Sequence, residues 1–79
     1  MLDEAYSASD LGRAIKRLRT ERGMTQDALG QWCGFSRQTV VSMEHGGPVA
    51  VTIALKAITL LGAKVIVAPK DVIVDDAVL

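Results

Sequence analysis

Few residues in this 79-residue chain could make or break a covalent bond. No paired carboxylates, phosphate-cradling loop or nucleophile–base set stands at a spacing that would serve catalysis, so neither an enzyme nor a bound cofactor or metal is expected. The single Cys33 has no second cysteine to pair with and no ligand cluster around it. His45, beside Gly46, reads as a helix end or surface residue. The stretch with chemical promise runs from Gly34 to Gly46, GFSRQTVVSMEHG. A glycine, a hydroxyl residue, a polar run and then apolar spacing describe a turn leading into a helix that presents polar side chains. A helix that reads DNA would be written this way, and its chemistry is hydrogen bonding rather than bond making.

DNA is a polyanion, and the chain has a formal net charge of zero. The charges are segregated, however. Residues 1–10 carry Asp3, Glu4 and Asp10, a net of −3. Residues 11–64 carry eight cationic side chains against Glu21, Asp27 and Glu44, so 8 − 3 = +5. Residues 65–79 carry Lys70 against Asp71, Asp75 and Asp76, a net of −2. A polyanion responds to the local field, and the body of the chain is basic. Mean hydropathy is +0.27, high for so small a chain, which implies apolar surface covered by another chain. No run approaches a membrane span, and the acidic MLDEAYSASD lacks an apolar signal region, so a cytoplasmic protein is expected.

Four helices would position the polar run. Leu11, Ile15 and Leu18 form one stripe of a first helix from about Asp10 to Arg22, with Ser7 or Ser9 as its cap and Gly23 after its end. Its Arg13, Lys16, Arg17 and Arg19 lie off or beside that stripe and read as a solvated face. Thr25 caps a second helix, TQDALGQWC, whose Asp27 suits the helix dipole and whose Ala28, Leu29 and Trp32 supply a core face, with Cys33 also in the core. Gly34 ends it. Ser36 caps a third helix with Val40 and Met43 facing inward, stopped by His45 to Pro48. VTIALKAITLLG fits a fourth, nearly without a polar face, so part of it is expected to pack on a second chain. AKVIVAP then changes period to that of a strand. A lone strand needs a partner: its own copy across a two-fold axis, or Val72-Ile73-Val74 folded back over Pro69-Lys70-Asp71. The dimer reading places Ile58, Leu61, Val65, Ile66 and Val67 at the interface.

The second helix, the turn and the third helix make a helix-turn-helix. MTQDALGQWCGFSRQTVVSMEHG resembles that of the lambda-repressor-like family, also called the XRE or Cro/C1 type, through Thr25-Gln26, Leu29, Gly34, Ser36, Val40 and Glu44-His45-Gly46. The likeness implies an all-α four-helix DNA-binding domain over residues 10–62. Around it stand a flexible acidic N-terminus (1–9), a dimerisation strand (63–69) and a C-terminal tail (70–79) whose last residues, DDAVL, are expected to be disordered. It also implies base contacts from Arg37, Gln38, Val41 and Ser42. Arg can bond guanine, Gln adenine, and an outward valine can touch a thymine methyl. Phosphate contacts are implied for Gln26, Thr25, Ser36, Thr39 and Arg19, and a structural pair for Arg19 with Glu44. Two departures stand out: GGPVAV replaces the cationic loop common after the third helix, and Gly30 stands where Ala is usual.

The junction LLGAKVIVAP is similar to that of HipB-like antitoxins, small dimeric repressors paired with a HipA-like kinase toxin. That resemblance implies a homodimer on a palindromic operator. The other readings are a stand-alone repressor of the same family and an interaction module that has lost DNA binding.

Overall fold

The computed structural model describes residues 2–73. Its elements are α1 (Ala8–Glu21), α2 (Gln26–Cys33), α3 (Arg37–Glu44) and α4 (Val51–Leu60). α1 starts at Ala8 because Ser7 is the cap: its hydroxyl accepts the Asp10 N–H at 3.1 Å, while the Asp10 carboxylate accepts the Tyr6 N–H at 2.9 Å. The bond from Tyr6 holds the Asp10 carboxyl below its ordinary range. Thr25 and Ser36 cap α2 and α3 in the same way, accepting the N–H groups of Ala28 and Thr39. Gly34, at φ +80°, makes the turn between them in the left-handed region.

The core gathers Ile15, Leu29, Cys33, Val40, Met43, Ala54, Ala57, Ile58 and Leu61, one contiguous cluster fed by all four helices. The buried stripe of α1 runs through Gly12, Ile15 and Arg19, with Leu11 and Leu18 at its margins. Gly12 lets α1 lie directly on the end of α3, since a Cβ there would stand 2.5 Å from the backbone oxygens of both Met43 and Glu44. Gly30 has an equally local cause: a Cβ would meet the Phe35 carbonyl oxygen at 2.8 Å, inside the α2–α3 turn. The helical propensity that a glycine forfeits is here exchanged for close backbone approach.

Several expectations are corrected. Trp32 is 48% exposed; the buried stripe of α2 runs through Leu29, Gly30 and Cys33, and residue 32 falls at its flank. Ile58 and Leu61, expected at a dimer interface, are 4% and 3% exposed within the single chain, because they face this domain's own core. Val51 and Leu55 carry the exposed apolar surface of α4. Residues 63–69 form neither helix nor strand, and no backbone hydrogen bond pairs residues 64–68 with another segment among the described residues. Val65, Ile66 and Val67 are exposed. A turn closes between Pro69 and Val72, with the Val72 N–H on the Pro69 carbonyl at 3.0 Å, and Val74 and DDAVL lie outside the described residues. Among the N-terminal residues, the Asp3 carboxylate accepts hydrogen bonds from Arg17.

Gly12→Ala is expected to lower stability by about 1–3 kcal/mol, although Ala is the better helix former by up to about 1 kcal/mol. Urea unfolding followed by circular dichroism measures it. A raised midpoint would show that α1 and α3 are not in backbone contact at this position.

Candidate nucleic-acid interface

The two cap residues set the chemistry of the face formed by α2 and α3. Ser36 sits just before α3 in extended backbone, and its oxygen also lies 2.9 Å from the Thr39 hydroxyl. The first two side chains of α3, Arg37 and Gln38, are exposed and make no side-chain hydrogen bond among the described residues. Their donors and acceptors are thus available to an incoming partner. Val41 and Ser42, one turn on, are half-buried. The Ser42 oxygen turns toward the loop after α3, 2.4 Å from where a Cβ on Gly47 would stand, and the Ser42 carbonyl accepts the Gly47 N–H at 2.7 Å. Gly47 is therefore needed for Ser42 to keep this position. His45 caps the helix end, its Nδ1 3.0 Å from the Val41 carbonyl.

Behind this face stands a buried ion pair. Arg19 and Glu44 are 7% and 5% exposed. The Arg19 Nε donates to Glu44 Oε2 at 2.7 Å, Nη2 to Oε1 at 3.0 Å, and Nη1 to the Met24 carbonyl at 2.7 Å. Each nitrogen of the guanidinium is engaged through one N–H, so Arg19 holds α1 to α3, with a second N–H on each of Nη1 and Nη2 outside these bonds. Gln26, the first residue of α2, completes the cluster by donating Nε2 to Glu44 Oε1 at 3.2 Å. Its carboxamide is tied to the same carboxylate, with one further N–H and the carbonyl oxygen uncommitted in this cluster. Thr25 is engaged as the α2 cap.

Sequence reasoning placed Arg37 and Gln38 on the exposed start of α3 and paired Arg19 with Glu44. It did not find the Gln26–Glu44 bond or the Met24 carbonyl, which depend on how α2 enters the bundle. The glycine within the α1 stripe was the available signal for the close α1–α3 contact. Elsewhere, burial pushes the Cys33 thiol pKa up, opposed by the charge of Lys56, so the thiol stays protonated near neutrality and serves the core. Lys56 itself lies over the Phe35 ring, 5.4 Å from its centroid. Among the described residues no group of three or more His, Cys, Asp or Glu could hold a metal ion, and no helix is long and apolar enough to cross a membrane.

The helix-turn-helix domain family matches residues 10–65, spanning all of α2, α3 and α4 and most of α1. The chain belongs to that family. Among solved structures, this helix-turn-helix chain is similar to a HipB variant in complex with an O2 20-mer, at TM-score 0.81 and 22% identity over 90% of this chain and all of that one. It is also similar to HipB in a HipA–HipB–O2–O3 complex, at TM-score 0.79 and 22% identity over 89% of this chain and all of that one. A HipB–O4 20-mer complex gives the same values. No curated protein matches the chain significantly. At this identity the structural likeness is one of fold, and it extends beyond the helix-turn-helix to nearly the whole chain.

Glu44→Ala should cost about 3–5 kcal/mol by leaving Arg19 buried without its counter-ion, whereas the double substitution Arg19→Met with Glu44→Met should recover most of that loss. Urea denaturation of the two variants decides it. Equal loss in both would show that the hydrogen-bonded geometry, rather than an unpaired charge, carries the effect.

Proposed function

We propose that the protein is a sequence-specific DNA-binding repressor acting as a homodimer on a palindromic operator, and that it is the HipB-like antitoxin of a type II pair with a HipA-like kinase. The observation that carries the reading is the pair Arg37 and Gln38, exposed and uncommitted at the start of α3, on a helix-turn-helix braced from behind by Arg19 and Glu44. The start of such a helix enters the major groove, where Arg bonds guanine O6 and N7 and Gln bonds adenine N6 and N7. Val41 and Ser42 stand one turn further and extend the reading surface, Val41 toward a thymine methyl. Thr25, Gln26, Ser36 and Thr39, at the starts of α2 and α3, stand where helix N–H groups face a phosphate. The HipB structures of like fold were solved with 20-mers and in one case with HipA, which supports the choice of this branch of the family.

The loop after α3, Gly46-Gly47-Pro48-Val49-Ala50, brings no cation to the duplex, so each half-site binds weakly. Two third helices roughly 34 Å apart would supply the missing affinity by avidity. A dimer bound there would exclude polymerase.

Arg37→Ala and Gln38→Ala should each weaken binding to the DNA upstream of the protein's own gene by about 5- to 150-fold, with little change on unrelated duplex. Fluorescence anisotropy on both duplexes measures the difference. Equal affinity of wild type and variants for both would remove α3 as the reading helix.

Deleting residues 63–79 should also weaken operator binding, although it removes no DNA contact. A truncated chain that stays dimeric and binds unchanged would exclude the strand ribbon. Co-purification from the native host, probed for a kinase-like partner, separates the antitoxin from a stand-alone repressor.

A further inference from the structure

Gln26 differs from the base-reading side chains of α3. Arg37 and Gln38 are exposed and make no side-chain hydrogen bond among the described residues. Gln26, the first residue of α2, is half-buried, and its Nε2 donates to Glu44 Oε1 at 3.2 Å. The acceptor in that bond is itself fixed. Glu44 is buried at the end of α3, and Arg19 of α1 holds both of its oxygens, Nε on Oε2 at 2.7 Å and Nη2 on Oε1 at 3.0 Å. The guanidinium is anchored in turn by the Met24 carbonyl at 2.7 Å, and α1 meets the backbone of Met43 and Glu44 at Gly12.

A carboxylate can only accept hydrogen bonds. Glu44 therefore takes the amide nitrogen of Gln26 and not its oxygen, so the polarity of the carboxamide is decided from inside the domain. One Nε2 N–H faces the buried pair. The second N–H, in the same amide plane, is left for an acceptor outside the cluster. A glutamine with no such partner samples many rotamers and must be ordered when a phosphate arrives. Here folding has already ordered it.

We propose that Glu44 is a positioning residue for DNA binding: through Oε1 it holds the Gln26 carboxamide ready for a backbone phosphate. This rests on the repressor reading above. The phosphate contact of α2 and the base-reading side chains of α3 are thereby referred to one carboxylate, and their register is set before DNA arrives. A phosphate carries no sequence, so loss of this hold weakens every duplex alike, unlike loss of Arg37 or Gln38.

Glu44→Asp tests the role, because it keeps a counter-ion for Arg19 and withdraws the acceptor from Gln26 by one methylene. With the full-length protein, fluorescence anisotropy on the DNA upstream of its own gene and on an unrelated duplex should show a loss of about two- to tenfold per copy bound, on both. In a Gln26→Ala background the same substitution should leave both affinities unchanged. Equal losses in the two backgrounds would mean that Glu44 acts only by placing α3, and would overturn the proposal, as would no loss in either. NMR relaxation of the side-chain amides without DNA is independent of binding. The Gln26 amide should be ordered in wild type and as mobile as that of Gln38 in Glu44→Asp. A wild-type Gln26 amide already as mobile as that of Gln38 overturns the proposal without any variant. If Arg37→Ala weakens operator binding while Glu44→Asp acts alike in both backgrounds, the repressor reading stands and the positioning role fails alone. If wild type binds neither duplex, both fail.

Discussion

The arrangement of this domain depends on one buried charge pair. Arg19 and Glu44, 25 residues apart in sequence, have left water almost completely. A guanidinium and a carboxylate in that position are tolerable only when their bonding capacity is met, and here the Met24 carbonyl and the Gln26 carboxamide meet what the pair leaves open. Four chain segments, α1, its C-terminal turn, the start of α2 and the end of α3, are thereby fixed to a single point. Gly12 makes the geometry possible, for any larger residue would push α1 off the Met43 and Glu44 carbonyls. The orientation of α3, and with it the direction in which Arg37 and Gln38 project, follows from this contact.

Charge is handled differently at the surface. The net of zero conceals a basic body with acidic ends, and the structure brings one of those ends back onto the body. Asp3 and Glu21 share Arg17, and Asp10 pairs with Arg13, so part of the cationic face of α1 is neutralised within the chain. Arg37 is left uncommitted on α3. Lys16 on α1, Lys56 on α4 and Lys64 likewise form no ion pair among the described residues, so the remaining positive charge is spread over several elements.

Much of the fold was legible because it is written in short-range spacing. Ser7, Thr25 and Ser36 each cap a helix through an N–H three residues on, and Gly34 takes a backbone conformation that other residues resist. Leu29, Val40 and Met43 fell on the inner face as periodicity requires. Errors arose where a residue's surroundings are set by a distant element. Trp32 was assigned to the core by its apolarity, yet it lies at the flank of the buried stripe formed by Leu29, Gly30 and Cys33. Ile58 and Leu61 suggested a second chain because α4 lacks a polar face, but this domain's own core takes them. The 63–69 segment has the composition of a strand, and composition cannot supply a neighbouring strand.

Sequence alone was enough for the helix order, the turn and the caps Thr25 and Ser36, because each is decided by neighbours within about one helical turn, while the choice of Ser7 over Ser9 came from the structure. It was also enough for the Arg19–Glu44 pairing, through a family pattern at fixed spacing. The tertiary structure alone decided that all three guanidinium nitrogens of Arg19 are engaged inside the domain, that Gln26 is tied to Glu44, that Gly12 and Gly30 are sites of backbone contact and that Asp3 returns to Arg17. The reason is common to all four. Each depends on distances between segments remote along the chain, which packing sets to within a fraction of an ångström and spacing does not encode.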